Sequence, residues 1–256
     1  MLRPLVIGNW KMNGTAPSAV SLAQSIVASC GEKHSSVDFV VCPSFVHLSL
    51  VQHEISNSRV SLGAQSVVDY DDGAYTGGVS AQMLNDIGCE YVLVGHSERR
   101  ALFSESNAEI ASMVMRCLKQ KLIPVLCVGE TLQQREENQV VEVITDQLQD
   151  LLASAIDSGM LSSLVIAYEP VWAIGTGLQA TPEQAQEVHQ IIRSLLMANY
   201  GDSASKVRIL YGGSVTPDNA AGLLSMPDIN GALVGGASLR ADDFLRIGEQ
   251  CSQSYC

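Results

Sequence analysis

Glu169 is the residue whose type and position most strongly suggest chemistry, because it directly follows a short apolar run over residues 164–168. The chain then continues into residues 170–177, a segment with a stiff apolar start and a glycine-bearing tip. Closure of an apolar flap over a carboxylate expels water and strengthens the charge interactions inside, as proton abstraction requires. The segment therefore indicates a general base beside a lid rather than a solvated glutamate in an ordinary loop.

Eight short apolar runs alternate with longer amphipathic stretches along the chain. The runs are continuously apolar, which is typical of parallel strands covered on both faces. Over 256 residues, this alternation predicts an α/β fold in which eight parallel strands close into one (β/α)8 barrel domain spanning residues 1–256. An open doubly wound sheet is the main alternative. The predicted strands are residues 4–8, 37–42, 60–64, 91–94, 123–128, 164–168, 207–211 and 231–234.

Three helices have clear signals. Apolar residues at three- and four-residue spacing predict a helix over residues 137–157. Thr181 is followed by a proline and, at the capping-box position, by Gln184, which marks a helix start. The pair Thr216-Pro217 repeats the first two of these signals.

The loops that follow the strands of such a barrel meet on one rim, and the chemistry of the fold is carried there. Polar and glycine residues of unusual type follow five of the eight predicted strands. They are Asn9-Trp10-Lys11, Gly95-His96-Ser97-Glu98-Arg99-Arg100, Glu169, Gly212-Gly213-Ser214 and Gly235-Gly236.

The glycine pairs after strands seven and eight predict an anion site. Glycine loops that lead into a helix or short turn aim backbone N–H groups at a phosphate, and a helix N-terminus adds partial positive charge. The loops after these two strands form the recurring phosphate site of barrel enzymes. Either pair alone would suit a tight turn equally well.

Three further rim residues are candidates for the reaction itself. Lys11, facing a bound phosphate, would stabilise a developing oxyanion, although a rim lysine taken alone usually only solvates the surface. Asn9 would hold the substrate or Lys11 by its amide. His96 stands where a strand passes into a helix, whose N-terminus opposes positive charge, so we expect a neutral imidazole that donates a hydrogen bond. Glu98, in the first turn of that helix, is placed to pair with Lys11.

Composition excludes several classes of function. The net charge of -12 argues against a nucleic-acid partner, and no apolar stretch approaches a membrane span. Seven cysteines without CxxC spacing predict free thiols, and the absence of a signal peptide favours a cytoplasmic protein. No metal-ligand spacing occurs. The pattern G-x-G-x-x-A at residues 175–180 lies too far beyond its strand for a dinucleotide site, and the acidic residue expected downstream is missing.

The motifs at residues 9–11, 95–99, 168–177, 211–214 and 233–237 together resemble triosephosphate isomerases, and the resemblance runs from end to end. It implies a TIM barrel that interconverts dihydroxyacetone phosphate and D-glyceraldehyde 3-phosphate through an enediolate, in glycolysis and gluconeogenesis, without metal or cofactor. Glu169 would move the proton between the carbons, neutral His96 would polarise the carbonyl, and Lys11, placed by Asn9, would stabilise the oxyanion. The phosphate would be held by N–H groups of Gly175, Ser214, Gly235 and Gly236.

The resemblance also implies a homodimer in which the loop after strand three reaches the partner's active site through Thr76. This chain has Gly78 where family members usually carry a glutamate, which removes one partner of the ion pair expected with Arg99.

Two other classes of function are less consistent with the residues. A Schiff-base aldolase on this fold usually has a lysine on strand six, where this chain has Glu169, and a metal-dependent epimerase needs ligands that are missing. A non-catalytic barrel would not need Glu169, His96 and Lys11 together.

Overall fold

Eight parallel strands close into a barrel in sequence order, and β8 pairs back onto β1. The computed structural model describes residues 2–154 and 156–253. The closure confirms the predicted (β/α)8 barrel and excludes an open doubly wound sheet. The strands are β1 (Leu5–Asn9), β2 (Asp38–Cys42), β3 (Val60–Ala64), β4 (Tyr91–Val94), β5 (Ile123–Val128), β6 (Val165–Tyr168), β7 (Arg208–Tyr211) and β8 (Gly231–Val234).

Helices lie between the strands and cover the barrel. In the described part of the chain none of them has the length and hydropathy that a bilayer crossing requires. The α-helices are α1 (Ala16–Ser29), α2 (Leu48–Ile55), α3 (Ala81–Asp86), α4 (Ser97–Phe103), α5 (Asn107–Lys119), α6 (Leu132–Glu136), α7 (Val140–Ala153), α8 (Ser158–Leu161), α9 (Pro182–Tyr200), α10 (Ala220–Leu224) and α11 (Ala241–Gln253).

The strands are apolar on both faces because each face meets a different apolar layer. In β1, Leu5 and Ile7 point into the barrel and pack with residues such as Val125 and Leu210. Val6, between them, belongs to the outer layer beneath the helices. This alternation follows from the two-residue period of a strand, and it explains why the sequence shows unbroken apolar runs.

Strand ends agree with the sequence predictions to within one residue. The strands β3, β4, β5 and β8 have the predicted bounds, and β1 is displaced by one residue. Pro4 lies outside β1, as suits a residue that has no backbone N–H to donate. The predicted start of α9 is also confirmed, because Thr181 and Gln184 make both hydrogen bonds of a capping box.

Two helix predictions were wrong in their bounds. The helix predicted over residues 137–157 is confined to α7, because Asn138 has a φ of 58° and separates it from α6, and Ser154 caps its C-terminal end. Of the predicted range, Ala155 lies outside the described residues. Thr216 does not begin a helix directly. It exchanges hydrogen bonds with Asn219 across a turn, and α10 begins only at Ala220.

The register of the strands brings their carboxyl ends to one level. Gly8 is opposite Val234 in β8 and Val41 in β2. Across the barrel, Tyr168 is opposite both Val128 and Tyr211. The residues that follow these strands therefore emerge at the same rim, as predicted.

Candidate active site

The predicted rim residues line one cavity of about 580 Å³ at the carboxyl ends of the strands. Each of the eight predicted site residues contributes to its wall, although they come from five different loops. This convergence confirms the spatial prediction that distant parts of the chain meet at one mouth. These residues are Asn9, Lys11, His96, Glu169, Gly175, Ser214, Gly235 and Gly236.

Glu169 lies at the end of β6 with only 1% of its surface exposed. Its Oε1 is 2.9 Å from Nε2 of His96, and its Oε2 accepts a hydrogen bond of 2.9 Å from the backbone N–H of Ser97. Burial by itself would raise the pKa of this carboxyl, but the charge and hydrogen bond of His96 and the hydrogen bonds from Ser97 outweigh it, so the pKa lies below its ordinary value. Glu169 is therefore a buried carboxylate that is ready to accept a proton.

His96 stands between β4 and α4 and joins Glu169 to the N-terminus of that helix. Its Nδ1 accepts a hydrogen bond of 3.2 Å from the backbone N–H of Glu98, and this leaves Nε2, 2.9 Å from Oε1 of Glu169, as the nitrogen that carries the proton of a neutral ring. A doubly protonated ring would lose the bond from Glu98, so the helix N-terminus favours the neutral ring, as expected from the sequence.

The same ring is also under an influence that the sequence reasoning left out. Burial lowers the pKa of His96, but the charge of Glu169 and its hydrogen bond raise it by more, so the pKa lies above the ordinary value of a histidine. In this substrate-free geometry, with Nε2 2.9 Å from Oε1, both pKa shifts favour an imidazolium beside a carboxylate, against the neutral ring expected from the sequence. A substrate oxygen that takes the place of the carboxylate would leave Nε2–H as its donor.

Lys11 is held in the left-handed region, with a φ of 53°, where few residues with a side chain are found. Its backbone N–H donates to Oδ1 of Asn9, and its carbonyl accepts hydrogen bonds from Ser44 and Gln65. Its Nζ pairs with Glu98 at 2.5 Å, which confirms the predicted ion pair. Asn9 thus fixes the backbone of Lys11, one of the two roles expected for it.

The glycines after β7 and β8 leave room at the cavity wall. A side chain on Gly212 would place its Cβ 2.9 Å from Cγ of Glu169, so this glycine makes space for the carboxylate. Gly235 and Gly236 lead into a 3₁₀-helix (Gly236–Leu239), while Ser214 precedes the turn before α10. The loop after β8 therefore has the predicted arrangement of glycines at a helix N-terminus. The loop after β7 reaches its helix only through a turn.

The segment after Glu169 has the predicted stiff start and open tip. Residues Val171–Ala173 form a 3₁₀-turn, and the indole N–H of Trp172 donates 2.8 Å to Glu130. Gly175 and Gly177 have positive φ angles of 69° and 82°, and a Cβ added to either would meet no atom within 4 Å. The two glycines of the tip therefore have open space beside them, and the hydroxyl of Thr176 between them donates 2.7 Å to the carbonyl of Trp172, whereas the start is anchored to Glu130.

Sequence reasoning missed Glu130, which is fully buried two residues after β5. Its Oε1 accepts hydrogen bonds from Arg135, the hydroxyl of Tyr168 and Trp172. The rule that polar residues follow the strands would have found it, since Gly129-Glu130-Thr131 stands at the end of a predicted strand. We call Glu130, Arg135, Tyr168 and Trp172 the hinge cluster.

Ser97 and Arg240 were missed as site residues as well. Ser97 was given no role within the polar run after strand four, yet its N–H holds the carboxylate of Glu169. Arg240 follows the last strand, lines the cavity and pairs with Asp243. It lies outside the glycine motif after that strand, so the sequence did not indicate that it belongs to the site. Among residues 2–154 and 156–253, no group of three or more His, Cys, Asp or Glu side chains is arranged to hold a metal ion.

Fold and cavity together define a (β/α)8-barrel protein with a carboxylate–imidazole pair beside a lysine and a glycine-rich cradle. The sequence matches the triosephosphate isomerase family over residues 4–251. It is 48% identical to the triosephosphate isomerase of Coxiella burnetii (strain Dugway 5J108-111) over 99% of both chains. It is 51% identical to that of Herminiimonas arsenicoxydans, over 96% of this chain and 98% of the relative.

The chain belongs to the triosephosphate isomerase family. It is an intramolecular aldose–ketose isomerase that interconverts dihydroxyacetone phosphate and D-glyceraldehyde 3-phosphate, a step of glycolysis.

Proposed function

We propose that Glu169 is the base of this isomerisation, taking the proton from one carbon of the substrate and returning it to the next. The observation that carries the proposal is the pair formed by Glu169 and His96, 2.9 Å apart and buried at the wall of the cavity. A carboxylate is the conjugate base that such a transfer needs, and the lowered pKa keeps Glu169 ionised at neutral pH.

His96 and Lys11 act in this proposal on the oxygen atoms of the substrate. The Nε2–H of His96 polarises the carbonyl and moves protons between the two oxygens as the enediolate forms. Lys11 lies at the same wall, with its Cε 3.6 Å from where a Cβ of Gly235 would be, and its charge stabilises the oxyanion. Asn9 supports Lys11 by holding its backbone N–H.

Backbone N–H groups of Gly175, Ser214, Gly235 and Gly236 hold the phosphate in this proposal. Their support is their common position on the cavity wall, together with the helical turn that begins at Gly236. The lid at residues 170–177 closes over the substrate, excludes water and prevents loss of phosphate from the intermediate. Gly175 thereby joins the phosphate site only when the lid is shut.

The substitution Glu169→Asp tests the base directly. It retracts the carboxylate by roughly 1 Å, and a displacement of this size costs on the order of a hundredfold in rate. We expect kcat to fall by about this factor in a coupled spectrophotometric assay, with an unchanged circular dichroism spectrum. A wild-type rate in this variant would show that Glu169 is not the base.

We further propose that the protein is a homodimer through the loops after the first four strands. Several large apolar side chains in these loops are exposed, among them Met12 at 95%, Val46 at 82%, Leu102 at 76% and Phe103 at 64%. Exposed apolar groups concentrated in neighbouring loops are typical of an interface. Thr76, which is also exposed, is the expected contact with the partner's active site.

Gly78 alters one detail of this interface. Arg99, deprived of the glutamate that family members usually carry at position 78, pairs with Glu105 of its own chain at 2.6 Å and lies over the ring of Phe103. Exposed ion pairs contribute little, so the apolar residues are expected to suffice for association. Light scattering should give twice the chain mass, and a fully active monomer would contradict the dimer.

We place the enzyme in the cytoplasm, as one domain spanning residues 1–256. The six cysteines found as free thiols in the described residues suit a reducing compartment. Met1, Ala155 and residues 254–256 lie outside the described residues, so the single closed barrel supports the domain prediction for the remainder of the chain.

A further inference from the structure

The backbone of Glu169 and the start of the lid contact three residues at the end of β5. The N–H of Glu169 donates 2.7 Å to the carbonyl of Val128, and the N–H of Val171 donates 3.1 Å to the carbonyl of Glu130. Between these two bonds lies Gly129, where an added Cβ would stand 1.8 Å from the carbonyl oxygen of Glu169. The peptide of Gly129 is therefore in direct contact with the backbone of the base.

Gln147 holds this peptide from the other side with both ends of its amide. The N–H of Gly129 donates 2.7 Å to Oε1 of Gln147, and Nε2 of Gln147 donates 3.0 Å to the carbonyl of Gly129. A primary amide carries a donor and an acceptor side by side, which suits it to grip a peptide group in this way. Gln147 is itself fixed, since Ile144 and Leu148 anchor α7 in the outer apolar layer.

Packing alone does not hold the peptide of Gly129 in place of these two hydrogen bonds. A cavity of about 270 Å³ lies against Gly129, and Gln147, Glu169 and Val171 also line its wall. Gly129 contacts the backbone of Glu169 on one side, but on the side of this cavity it has no side chain to hold it, so its position there depends on its hydrogen bonds. Loss of the bonds from Gln147 would leave Gly129, and with it the backbone of Glu169, free to shift toward this cavity.

We propose that Gln147 is a positioning residue for the isomerisation, acting on Glu169 through the peptide of Gly129. This inference rests on the proposed role of Glu169 as the base. Gln147 does not line the substrate cavity and touches no reacting atom. Its expected effect is therefore on kcat rather than on KM, because the glycines of the phosphate cradle belong to other loops.

The first test is Gln147→Met, which keeps the length of the side chain and removes both hydrogen bonds. We expect kcat to fall by about tenfold or more, with KM within about twofold of wild type. The matched control is Gln149→Met, because Gln149 is exposed on the same helix and bonds only to Asp146. This control should have wild-type kinetics.

The second test is Gln147→Glu, which separates positioning from a merely structural role. An ionised glutamate accepts the N–H of Gly129 but repels its carbonyl, whereas the protonated acid donates and restores both bonds. We expect kcat of this variant, divided by the wild-type kcat at the same pH, to rise as the pH is lowered from about 7 to about 4, because the ordinary pKa of a glutamate is about 4.3. The same ratio for Gln147→Met should not change with pH.

Each outcome decides the question. A kcat of Gln147→Met within about twofold of wild type would overturn the proposal, as would a ratio for Gln147→Glu that is independent of pH. If Gln147→Met does not fold, the pH dependence of Gln147→Glu alone decides. The kcat of Glu169→Asp is measured in parallel. A wild-type kcat in Glu169→Asp refutes the role of Glu169 as the base. A reduced kcat in Glu169→Asp together with wild-type kcat in the Gln147 variants refutes only the positioning role of Gln147.

Discussion

Two carboxylates at the ends of neighbouring strands are equally buried but are held in opposite ways. Glu130, after β5, is 0% exposed and receives three donors on one oxygen, from Arg135, Tyr168 and Trp172. Glu169, after β6, is 1% exposed and is held by an imidazole and one backbone N–H. The first has a permanent cation as partner, and the second has a partner that titrates.

This difference suits one carboxylate of the barrel rim to a fixed structural role and the other to the role of base that we propose. Proton transfer requires a group whose partners tolerate both of its protonation states, which a guanidinium does not provide. The hinge cluster instead ties the start of the lid to the barrel through Trp172. The partner of a buried carboxylate, rather than its burial, distinguishes the two functions.

Two buried histidines beside these carboxylates repeat the contrast. His96 faces Glu169 and has a raised pKa, whereas His189 lies behind the hinge cluster with its ring edge-on to Tyr168 at 5.6 Å. His189 is 0% exposed and has no carboxylate in hydrogen-bond contact, and burial lowers its pKa to about 4.

The largest expected effect is that of Glu169→Gln. It removes the base while keeping the shape of the side chain, so kcat should fall by about a thousandfold or more. The thermal midpoint should change little, since the amide oxygen can still accept from Ser97. A coupled assay and a melting curve measure both, and a kcat above about a tenth of wild type would place the reactive carboxylate elsewhere.

Lys11→Met comes next and removes the cation that we propose for the substrate oxyanion. Loss of one group that stabilises an oxyanion costs about a hundredfold to a thousandfold in kcat. The fold should be intact by circular dichroism, because Lys11 pairs only with the half-exposed Glu98. Lys119→Met, at an exposed position in α5, is the control, and equal kinetics in the two variants would exclude Lys11 from the mechanism.

His189 should make the hinge region sensitive to acid. In the unfolded chain this imidazole has its ordinary pKa of 6.5, whereas in the folded chain burial lowers its pKa to about 4. Stability is therefore lost as the pH falls through this window, by roughly 3 kcal/mol at pH 4. Urea titrations should show a shallower loss in His189→Gln and an unchanged one in His53→Gln, at an exposed position; parallel curves for wild type and His189→Gln would contradict this.

Glu130→Gln should have the smallest effect, on stability more than on catalysis. Arg135 loses its charged acceptor, and the free energy of unfolding should fall by about 2 kcal/mol. The loss is limited because Arg135 retains Glu187 at 3.8 Å. Denaturation at neutral pH measures it. If kcat fell as far as in Glu169→Gln while stability was unchanged, the distinction between the two carboxylates would be wrong.

Strand positions and the gathering of the rim residues were predictable because they depend on local pattern and on one topological rule. Apolar runs such as residues 60–64 and 91–94 have few alternatives as strands, and parallel strands send their carboxyl ends to one rim. Helix ends were less predictable. Asn138 separates α6 from α7 by its backbone conformation, and no residue type requires that conformation.

The hydrogen-bond partners of individual side chains could not be predicted from the sequence. Gln147 forms two hydrogen bonds with Gly129, and Glu130 accepts hydrogen bonds from three elements. Both arrangements depend on which side chains meet across the barrel wall. Nothing in their spacing indicates it.

The sequence by itself therefore determined the fold, the rim and the side chains that we propose for the reaction, because periodicity, capping and motif order are properties of short segments. Only the tertiary structure decided the protonation balance between Glu169 and His96 and the separate role of Glu130. These depend on distances of about 3 Å between residues far apart in the chain, at which electrostatic and hydrogen-bond energies are set.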